Sequence, residues 1–293
     1  MDMNQPLNGR RRPSNPTWTR TSTRRRTIVS EEASENSKRE AEGSEPKAEV
    51  RNRHHHLPSS RAFWQDALAD APAILDLITD APRVHAAPSP GERVSLEVAD
   101  AIRTIARELD VPRPVVVLAA FTALLARYSR STDVVVGVAV ARKGSNGEEE
   151  QRFVPVRTLL PDSDGPDDDD DNDDDVSFSA LVATVHSNLS AAILNAGTPL
   201  NEIVELCQLQ LNDSTTPVFQ ATFTVVSDQI EATASPGNRW RLGVANAAPV
   251  ELALHDLALT VDADVLDASL QYRQGVIAKG SAEQLVSSFQ VSV

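Results

Sequence analysis

The chain has 293 residues, a formal net charge of −14 at pH 7, 41% hydrophobic residues and 4% aromatic residues. This length allows one or two domains, and the apolar share is large enough for a buried core, which excludes a chain that is disordered throughout. The single cysteine, Cys207, excludes an intrachain disulfide framework and a cysteine-rich zinc site. Because no stretch approaches about 18 consecutive apolar residues and the N-terminus lacks the apolar core of a secretory signal, we expect a soluble cytoplasmic protein.

Much of the negative charge is concentrated in one tract. Ten acidic residues lie between Asp162 and Asp175, whereas residues 1–57 are net basic, with 12 Lys or Arg against 8 Asp or Glu. A calcium or magnesium site needs a folded loop with spaced oxygen ligands, and like charges this dense repel one another. The tract 162–175 is therefore predicted to be a disordered, solvated loop that holds no metal.

The basic segment 1–57 contains two arginine triplets, at 10–12 and 24–26, and very few aliphatic residues. It cannot bury enough apolar surface to offset the loss of chain entropy, so it is predicted to be a disordered tail. Arginine runs of this kind also occur in nuclear-localisation signals, nucleic-acid patches and mitochondrial transit peptides, and in basophilic phosphorylation sites. The favoured prediction is a solvated tail that does not bind nucleic acid. Nuclear targeting and mitochondrial targeting remain open alternatives.

From Ser60 onward, hydrophobic spacing alternates between helical and strand patterns. Apolar residues at helical spacing predict three helices, over 63–68, 97–109 and 117–128, with prolines between them. The run Asp133–Val140 that follows is short, rich in β-branched residues and almost entirely apolar. Such a run predicts a strand that is buried on both faces.

The pattern continues after the acidic tract. Ser177 is predicted to cap a helix over 178–193, and Pro199 is predicted to begin another helix. Over 219–225, apolar residues alternate with Gln and Thr, which predicts a strand with one polar face.

The last part of the chain adds strands and one helix. The apolar runs at 252–254 and 257–259 predict one or two strands, and alternation over 266–272 predicts another. Ser281 is predicted to cap the final helix, which carries Leu285 and Phe289 on its apolar side. Because helices and strands interleave along residues 58–293, we predict one α/β layered domain that follows the tail.

Four motifs within this domain occur in one collinear order. They are Phe63-Trp64-Gln65-Asp66-Ala67-Leu68 with Thr79-Asp80 and Pro82-Arg83, then Leu125-Ala126-Arg127-Tyr128 leading into Val134-Val135-Val136-Gly137, then Pro217-Val218-Phe219-Gln220, and finally Leu270-Gln271-Tyr272. Over about residues 60–291, the chain resembles the C-terminal lobe of a condensation domain from a nonribosomal peptide synthetase.

This resemblance implies a chloramphenicol-acetyltransferase-like lobe, in which helices pack on a mixed sheet. It also implies that the family joins two acyl groups, carried on the phosphopantetheine arms of carrier proteins, into an amide. The reaction takes place in a tunnel between two lobes. A histidine of the first lobe's His-His-x-x-x-Asp-Gly motif accepts a proton from the attacking amine or positions it. The implied partners are a carrier protein and a first lobe, and no cofactor of the chain's own is implied.

The residues that would carry this chemistry depart from the family pattern. Counted from His54 of the triplet 54–56, the motif's Asp and Gly positions hold Ser59 and Ser60, so the triplet is not assigned as catalytic. The segments that correspond to two further family motifs have lost most of their polar residues; these are Arg152–Arg157 and Asn195–Asn201. Because packing positions persist while polar ones are replaced, the resemblance indicates a retained fold with lost or altered chemistry.

The remaining reactive side chains do not form a recognisable site. His186 is expected on the surface of its helix. His255 and Asp256 are neighbours in the sequence, and such a pair cannot form a triad unless both partners converge on a nucleophile. Cys207 lies at helical spacing from Ile203 and is expected to be a small core residue. We therefore assign no catalytic, cofactor-binding or metal-binding residue.

Three functional hypotheses remain open. The leading one is a condensation-domain lobe that is inactive alone, because only 62 residues precede Phe63 and we expect no first lobe among them. The second is a non-enzymatic module for protein binding or homodimerisation, since a lobe without its partner exposes an apolar face. The third is an acyltransferase that a separate first lobe completes in trans.

Overall fold

The computed structural model describes residues 59–77, 79–83, 92–95, 99–144, 148–161, 177–209, 217–226, 240–245, 255–264 and 266–292. All of them lie in one unit, His55–Val293. The predicted disordered tail 1–57, the acidic loop 162–175 and the strand predicted at 252–254 lie outside the described residues.

Within these ranges the chain forms six helices and seven strands. In chain order they are α1 (Ser60–Ala67), β1 (Glu92–Ser95), α2 (Ala99–Glu108), α3 (Arg113–Ser129), β2 (Asp133–Lys143), β3 (Glu149–Leu159), α4 (Phe178–Leu194), α5 (Leu200–Leu206), β4 (Ala221–Val226), β5 (Arg241–Leu242), β6 (Leu257–Asp262), β7 (Asp267–Tyr272) and α6 (Lys279–Ser292). Each of the six predicted helices is present. No single helix in the described part is long and apolar enough to cross a membrane, and α2 and α3, which pass that test only as a pair, meet at a bend of 108°.

The seven strands form one mixed sheet. Its order is β1-β7-β6-β4-β2-β3, and β5 pairs with β2 beside this path. The pairs β2–β4 and β4–β6 are parallel, whereas the other ladders are antiparallel. The predicted α/β layered fold, with helices on a mixed sheet, is confirmed.

The two faces of the sheet differ in chemistry. Residues that pair across a ladder project to the same face, and successive residues of a strand alternate between the faces. One face carries Val136, Val138, Phe223 and Leu259, which belong to the large core cluster together with the buried side of α3, α4 and α6. We call the opposite face the polar face; at β2, β4, β6 and β7 it carries mainly small and polar residues, namely Gly137, Ala139, Thr222, Thr224, Ala258, Thr260, Ser269 and Gln271. At β3 the same face carries Phe153 and Pro155.

The alternation predicted for β4 is correct, but its polar side is not solvated. Thr222 is fully buried, Thr224 is 4% exposed, and Gln220 just before the strand is fully buried. Alternation in a sequence normally indicates one buried and one wet face. Here both faces of the strand are covered, so β4 is a central strand with hydroxyls inside the protein.

β3 was not predicted, because its apolar residues are interrupted by Pro155 and by charged side chains. It is the edge strand of the path, and its pairing with β2 leaves Pro155 facing away from the ladder. There the missing N–H of a proline costs no ladder hydrogen bond. Asn188 of α4 donates its Nδ2 to the outward carbonyl of Arg157 at 2.8 Å, which further covers this edge.

Helix starts were partly predictable. The Oγ of Ser177 accepts a hydrogen bond from the amide of Ala180, as predicted for an N-cap, and α5 begins directly after Pro199. The predicted cap at Ser281 is wrong, because α6 begins two residues earlier, at Lys279. Asp80 satisfies this helix start from a distant part of the chain: its carboxylate accepts hydrogen bonds from the amide of Ala278 at 2.6 Å and from the Ser281 hydroxyl at 3.0 Å.

Replacing Asp80 with alanine is expected to lower the free energy of unfolding by about 1 kcal/mol, because a capping carboxylate at a helix N-terminus is lost. Urea unfolding at neutral pH measures this difference. The control is Ser281→Ala, which removes one of the two hydrogen bonds to the same carboxylate and should cost less. A larger cost for Ser281→Ala than for Asp80→Ala would show that Ser281 is the cap after all.

Gly137 permits a close approach between β2 and an aromatic ring. A Cβ atom at this position would lie 2.3–2.7 Å from three ring carbons of Phe219, which is fully buried. Such distances are far below van der Waals contact, so the ring occupies the space that a side chain would need. The family-like glycine therefore has a packing reason in this chain.

Gly137→Ala is expected to destabilise the fold by about 1–3 kcal/mol, since an added methyl group in a filled core forces a shift of Phe219. Chemical denaturation measures this cost. Gly280→Ala is the matched control, because a Cβ there meets no atom within 4 Å and alanine favours a helix. Equal stability of the two variants would contradict the packing explanation.

Candidate functional site

The polar face of the sheet brings several hydroxyl-bearing side chains together. Thr224 of β4 lies opposite Thr260 of β6, which in turn lies opposite Ser269 of β7. Thr222 lies between Gly137 of β2 and Ala258 of β6, so neither neighbour brings a polar side chain next to it. The face therefore combines hydroxyl groups with small residues, and at Gly137 the ring of Phe219 covers it.

A buried ionic junction lies where β6 begins and β7 ends. The carboxylate of Asp256 is fully buried and accepts a hydrogen bond from Arg83 Nε at 2.8 Å. Arg273 is also fully buried, and its Nη1 lies 3.8 Å from the other carboxylate oxygen. Arg83 additionally donates to the carbonyl of Leu75 at 3.3 Å, and the amide of Leu75 donates to Gln220 Oε1 at 2.6 Å. The junction thereby ties the segment 75–83 to three parts of the sheet.

His255 belongs to an aromatic cluster instead of an acid–base pair. Its ring stacks on Phe219 with a centroid distance of 5.6 Å and an interplanar angle of 12°, and Phe153 lies 6.0 Å away. Burial lowers the pKa of His255 to about 4, against a smaller opposing effect of its hydrogen bond with the Phe219 backbone. The imidazole is therefore neutral near pH 7 and a weak proton acceptor there. The neighbouring carboxylate of Asp256 is engaged by arginines.

The other reactive residues lie apart from one another. His186 is half-buried on α4. Cys207 is half-buried at the end of α5, where its thiol donates to the carbonyl of Trp64 at 3.4 Å, and burial raises its pKa. A raised thiol pKa makes the cysteine a poor nucleophile. Among the described residues, no group of three or more His, Cys, Asp or Glu could hold a metal ion. The histidine run 54–56 lies outside the described residues.

Helix α1 is fastened to the edge of the sheet by Arg157. Its guanidinium makes two hydrogen bonds to Asp133, at 2.8 and 2.7 Å, and a third to the carbonyl of Ala69 at 2.6 Å. The hydrogen bonds with Asp133 raise the pKa of Arg157 above its usual value. Trp64 Nε1 donates to the carbonyl of Asn195 at 3.2 Å, which holds the other side of α1. The sequence motif around Trp64 is thus a packing motif.

A groove of about 390 Å³ opens between α1, β3 and α4. Its walls include Phe63, Trp64 and Leu159, of which Leu159 is 63% exposed. Arg157 and Asn188 also line it, but both are already engaged in the hydrogen bonds described above. The groove offers an apolar surface with few available polar groups, and nothing in it marks a reaction centre.

The far end of the β2–β3 hairpin carries a second charged cluster. Arg142 and Arg152 flank the ring of Trp240, at 4.8 and 4.2 Å from its centroid. Glu150 accepts hydrogen bonds from both arginines. These hydrogen bonds lower the pKa of Glu150, and the bond from Arg142 has the larger effect. Arg152 also donates to the carbonyls of residues 196 and 197 after α4. The cluster binds the hairpin to Trp240 and to α4, so its role is structural.

Comparisons of the sequence and of the structure with known proteins point to the same family. The sequence model of the condensation domain family matches residues 47–291. Gramicidin S synthase 2 of Aneurinibacillus migulanus is 26% identical over 239 residues, which is 78% of this chain. Among solved structures, the X-domain in its complex with OxyB from teicoplanin biosynthesis superposes with a TM-score of 0.60 at 23% identity. The first condensation domain of the CDA synthetase superposes with a TM-score of 0.56 at 18% identity.

These matches cover part of each relative. The two structural matches each cover 80% of this chain but only 51% and 49% of the other chain. The match covers 5% of gramicidin S synthase 2. The likeness to the solved structures therefore describes the fold of about half of each of them, and it confirms the predicted chloramphenicol-acetyltransferase-like fold.

Proposed function

Because this chain belongs to the condensation domain family, we propose that residues 59–292 act as its C-terminal lobe and bind acyl groups that carrier proteins present on phosphopantetheine arms. The observation that supports the proposal is the polar face of the sheet. One face is apolar and packed on helices, whereas the other gathers hydroxyls and small residues. The chain itself covers this face at β2 and β4, whereas the half-buried hydroxyls of Thr260 and Ser269 at β6 and β7 could pair with the amide groups of a ligand.

We further propose that this lobe supplies binding and positioning but not the proton transfer. A general base works best when its pKa lies near the operating pH. His255, with a pKa of about 4, is far below that, and Asp256 is committed to the buried junction. Amide formation then depends on a first lobe with a His-His-x-x-x-Asp-Gly motif, which acts in the same protein or in trans.

The test supplies the purified full chain with one aminoacyl-loaded and one peptidyl-loaded carrier protein and measures the amide product by mass spectrometry. The chain alone is expected to form no product above the uncatalysed background. Addition of a separately expressed first lobe is expected to restore turnover, and a first lobe with its second motif histidine changed to alanine is not. Robust amide formation by the chain alone would refute the division of labour between the lobes.

A second candidate function is the recruitment of another protein without catalysis. The observation that favours it is the structural likeness to an X-domain that is found in a complex with OxyB. In this case the chain would bind a carrier protein, or a second copy of itself, whether or not acyl groups are attached. Sedimentation velocity of the chain alone and with an unloaded carrier protein tests this function. A monomer that binds no unloaded carrier would argue against it.

A further inference from the structure

Helix α4 differs from the other helices in its surface chemistry. Its 17 residues include no Asp, Glu, Lys or Arg, whereas each of the other five helices in the described ranges carries at least two such residues. One side of α4 packs on the apolar face of the sheet, and the other side is accessible to solvent. Because a surface helix normally carries charged residues on its solvent side, the uncharged side of α4 is typical of a surface that another molecule covers.

Exposed apolar side chains border the same helix. Among the residues that the structure describes, the exposed large apolar side chains are Leu159, at 63%, and Leu194, at 50%. Leu194 is the last residue of α4, and Leu159 shares the walls of the groove between α1, β3 and α4 with Thr184 and Asn188 of α4. Exposed apolar groups that lie close together mark interaction surfaces. The apolar side chains and the missing charges therefore point to the same part of the surface.

The solvent side of α4 carries a symmetric row of residues, which we call the outer row. Its members follow one another at intervals of three or four residues, and all are exposed except the half-buried Ala191; they are Ala180, Ala183, Ser187, Ala191 and Leu194. Residues at this spacing lie above one another on one side of a helix. Counted from Ser187, the outer row extends four and seven residues in both directions, so it matches its own antiparallel copy.

We propose that the outer row binds a second copy of this chain, in an antiparallel contact between the two α4 helices about a twofold axis at Ser187. Each pair of residues then occurs twice, as in every isologous contact. Ala183 lies opposite Ala191 of the partner subunit. At both ends, Leu194 covers Ala180 of the partner subunit. The small side chains between these ends allow the helix axes to approach to about 8 Å.

The charge of the protein favours this partner. Two chains with a formal net charge of −14 repel each other, so a contact between them is weakest in repulsion where the surface adds no like charges. The outer row is such a surface, and a second outer row covers it without leaving a buried charge unpaired. The row is about 21 Å long, at about 1.5 Å per residue. This is short for an interface that buries about 800 Å² per partner, so we expect a dissociation constant in the micromolar range.

This inference deepens the second candidate function and rests on it, because it names the partner and the surface that binds it. The polar face of the sheet takes no part, since α4 packs on the opposite, apolar face. Formation of the dimer and amide synthesis with a first lobe are therefore separate properties of the chain.

Sedimentation velocity of the full chain, over a series of concentrations from about 1 to about 200 µM, tests the proposal. The dimer fraction is expected to increase along the series. Ser187→Glu places two carboxylates face to face at the twofold axis and is expected to weaken the dimer about tenfold or more. Ser287→Glu is the matched control, because it makes the same change at an exposed position of α6. It should leave the dissociation constant within about twofold of the wild-type value.

A mixture of two charge variants tests the symmetry of the contact. Ser187→Lys, like Ser187→Glu, is expected to be largely monomeric alone, since it also sets like charges opposite each other. An equimolar mixture of the two variants places a carboxylate opposite an ammonium group and is expected to restore the dimer. Mixing would not reverse a loss of dimer that was caused by unfolding, and thermal unfolding followed by circular dichroism checks that each variant is folded.

Three results would overturn the proposal: a wild-type chain that stays monomeric throughout the series, a dimer that Ser187→Glu and Ser287→Glu weaken equally, or a mixture of the two charge variants that stays monomeric. A monomeric chain that binds an unloaded carrier protein would overturn the dimer and keep the second candidate function. Failure of amide synthesis with a first lobe would refute the leading function and leave the result on the dimer unaffected.

Discussion

Replacement of Asp256 by alanine is expected to destabilise the lobe by about 3–5 kcal/mol, because it leaves two guanidinium groups without their shared carboxylate in a buried site. Asp256 and Arg273 are fully buried, and the side chain of Arg83 is 17% exposed. The junction also positions Leu75 and Gln220, so its loss should loosen the segment 75–83. Urea unfolding followed by circular dichroism measures the difference in free energy.

Two further variants distinguish the charge effect from a general loss of packing. Arg83→Ala should lower the free energy of unfolding by less than Asp256→Ala does. In the Arg83 variant the Asp256 carboxylate still faces Arg273, so no buried guanidinium loses its carboxylate. Asp76→Ala, at an exposed position, should change the free energy of unfolding by less than about 0.5 kcal/mol. If Asp256→Ala behaved like Asp76→Ala, the junction would contribute little to the stability of the fold.

Acidification is expected to destabilise the protein through His255 by at most about 3.5 kcal/mol, because a shift of one pKa unit corresponds to about 1.4 kcal/mol. The pKa of this buried imidazole is about 4 in the folded protein, against an ordinary value of 6.5. The unfolded chain thus binds a proton between these two values while the folded protein does not. The contribution to stability is complete above about pH 6.5 and is lost progressively as the pH falls towards 4.

The free energy of unfolding, measured in urea at several pH values between 7 and 4, tests this expectation. His255→Phe keeps a ring stacked on Phe219 but cannot be protonated, so its stability should fall less steeply over the same interval. The wild type and the variant are compared in one buffer series, so that the carboxylates contribute equally to both curves. Identical slopes would show that another group, and not His255, causes the acid sensitivity.

The outline of the fold followed from local patterns in the sequence. Helical periodicity identified every described helix, and the apolar runs of β2 and β6 and the alternation of β4 and β7 identified four strands. These signals are local, because neighbouring residues in the chain determine which side of an element is apolar. The short strands β1 and β5 and the proline-interrupted β3 had no such signal, since their pairing comes from the strands beside them.

The candidate site was far less accessible from the sequence. The motifs Thr79-Asp80 and Pro82-Arg83 are part of the family resemblance. No pattern in the neighbouring residues indicates that Asp80 caps α6 or that Arg83 binds Asp256, 173 residues away. The threonines of β4 predicted a polar face, and only the fold shows that this face is buried. A contact between distant segments depends on the arrangement of all elements, which no short window of sequence contains.

The amino-acid sequence by itself therefore determined the six helices, the strands β2, β4, β6 and β7 and the family likeness, because hydrophobic periodicity and short motifs are properties of adjacent residues. Only the tertiary structure decided which polar groups meet, which helix start is capped by a distant residue, and that the Thr222 hydroxyl is buried with no hydrogen-bond partner among the described residues. Those outcomes arise when β2, β4, β6 and β7 become neighbours in one sheet. The resulting burial determines how much each polar side chain contributes to the free energy of unfolding.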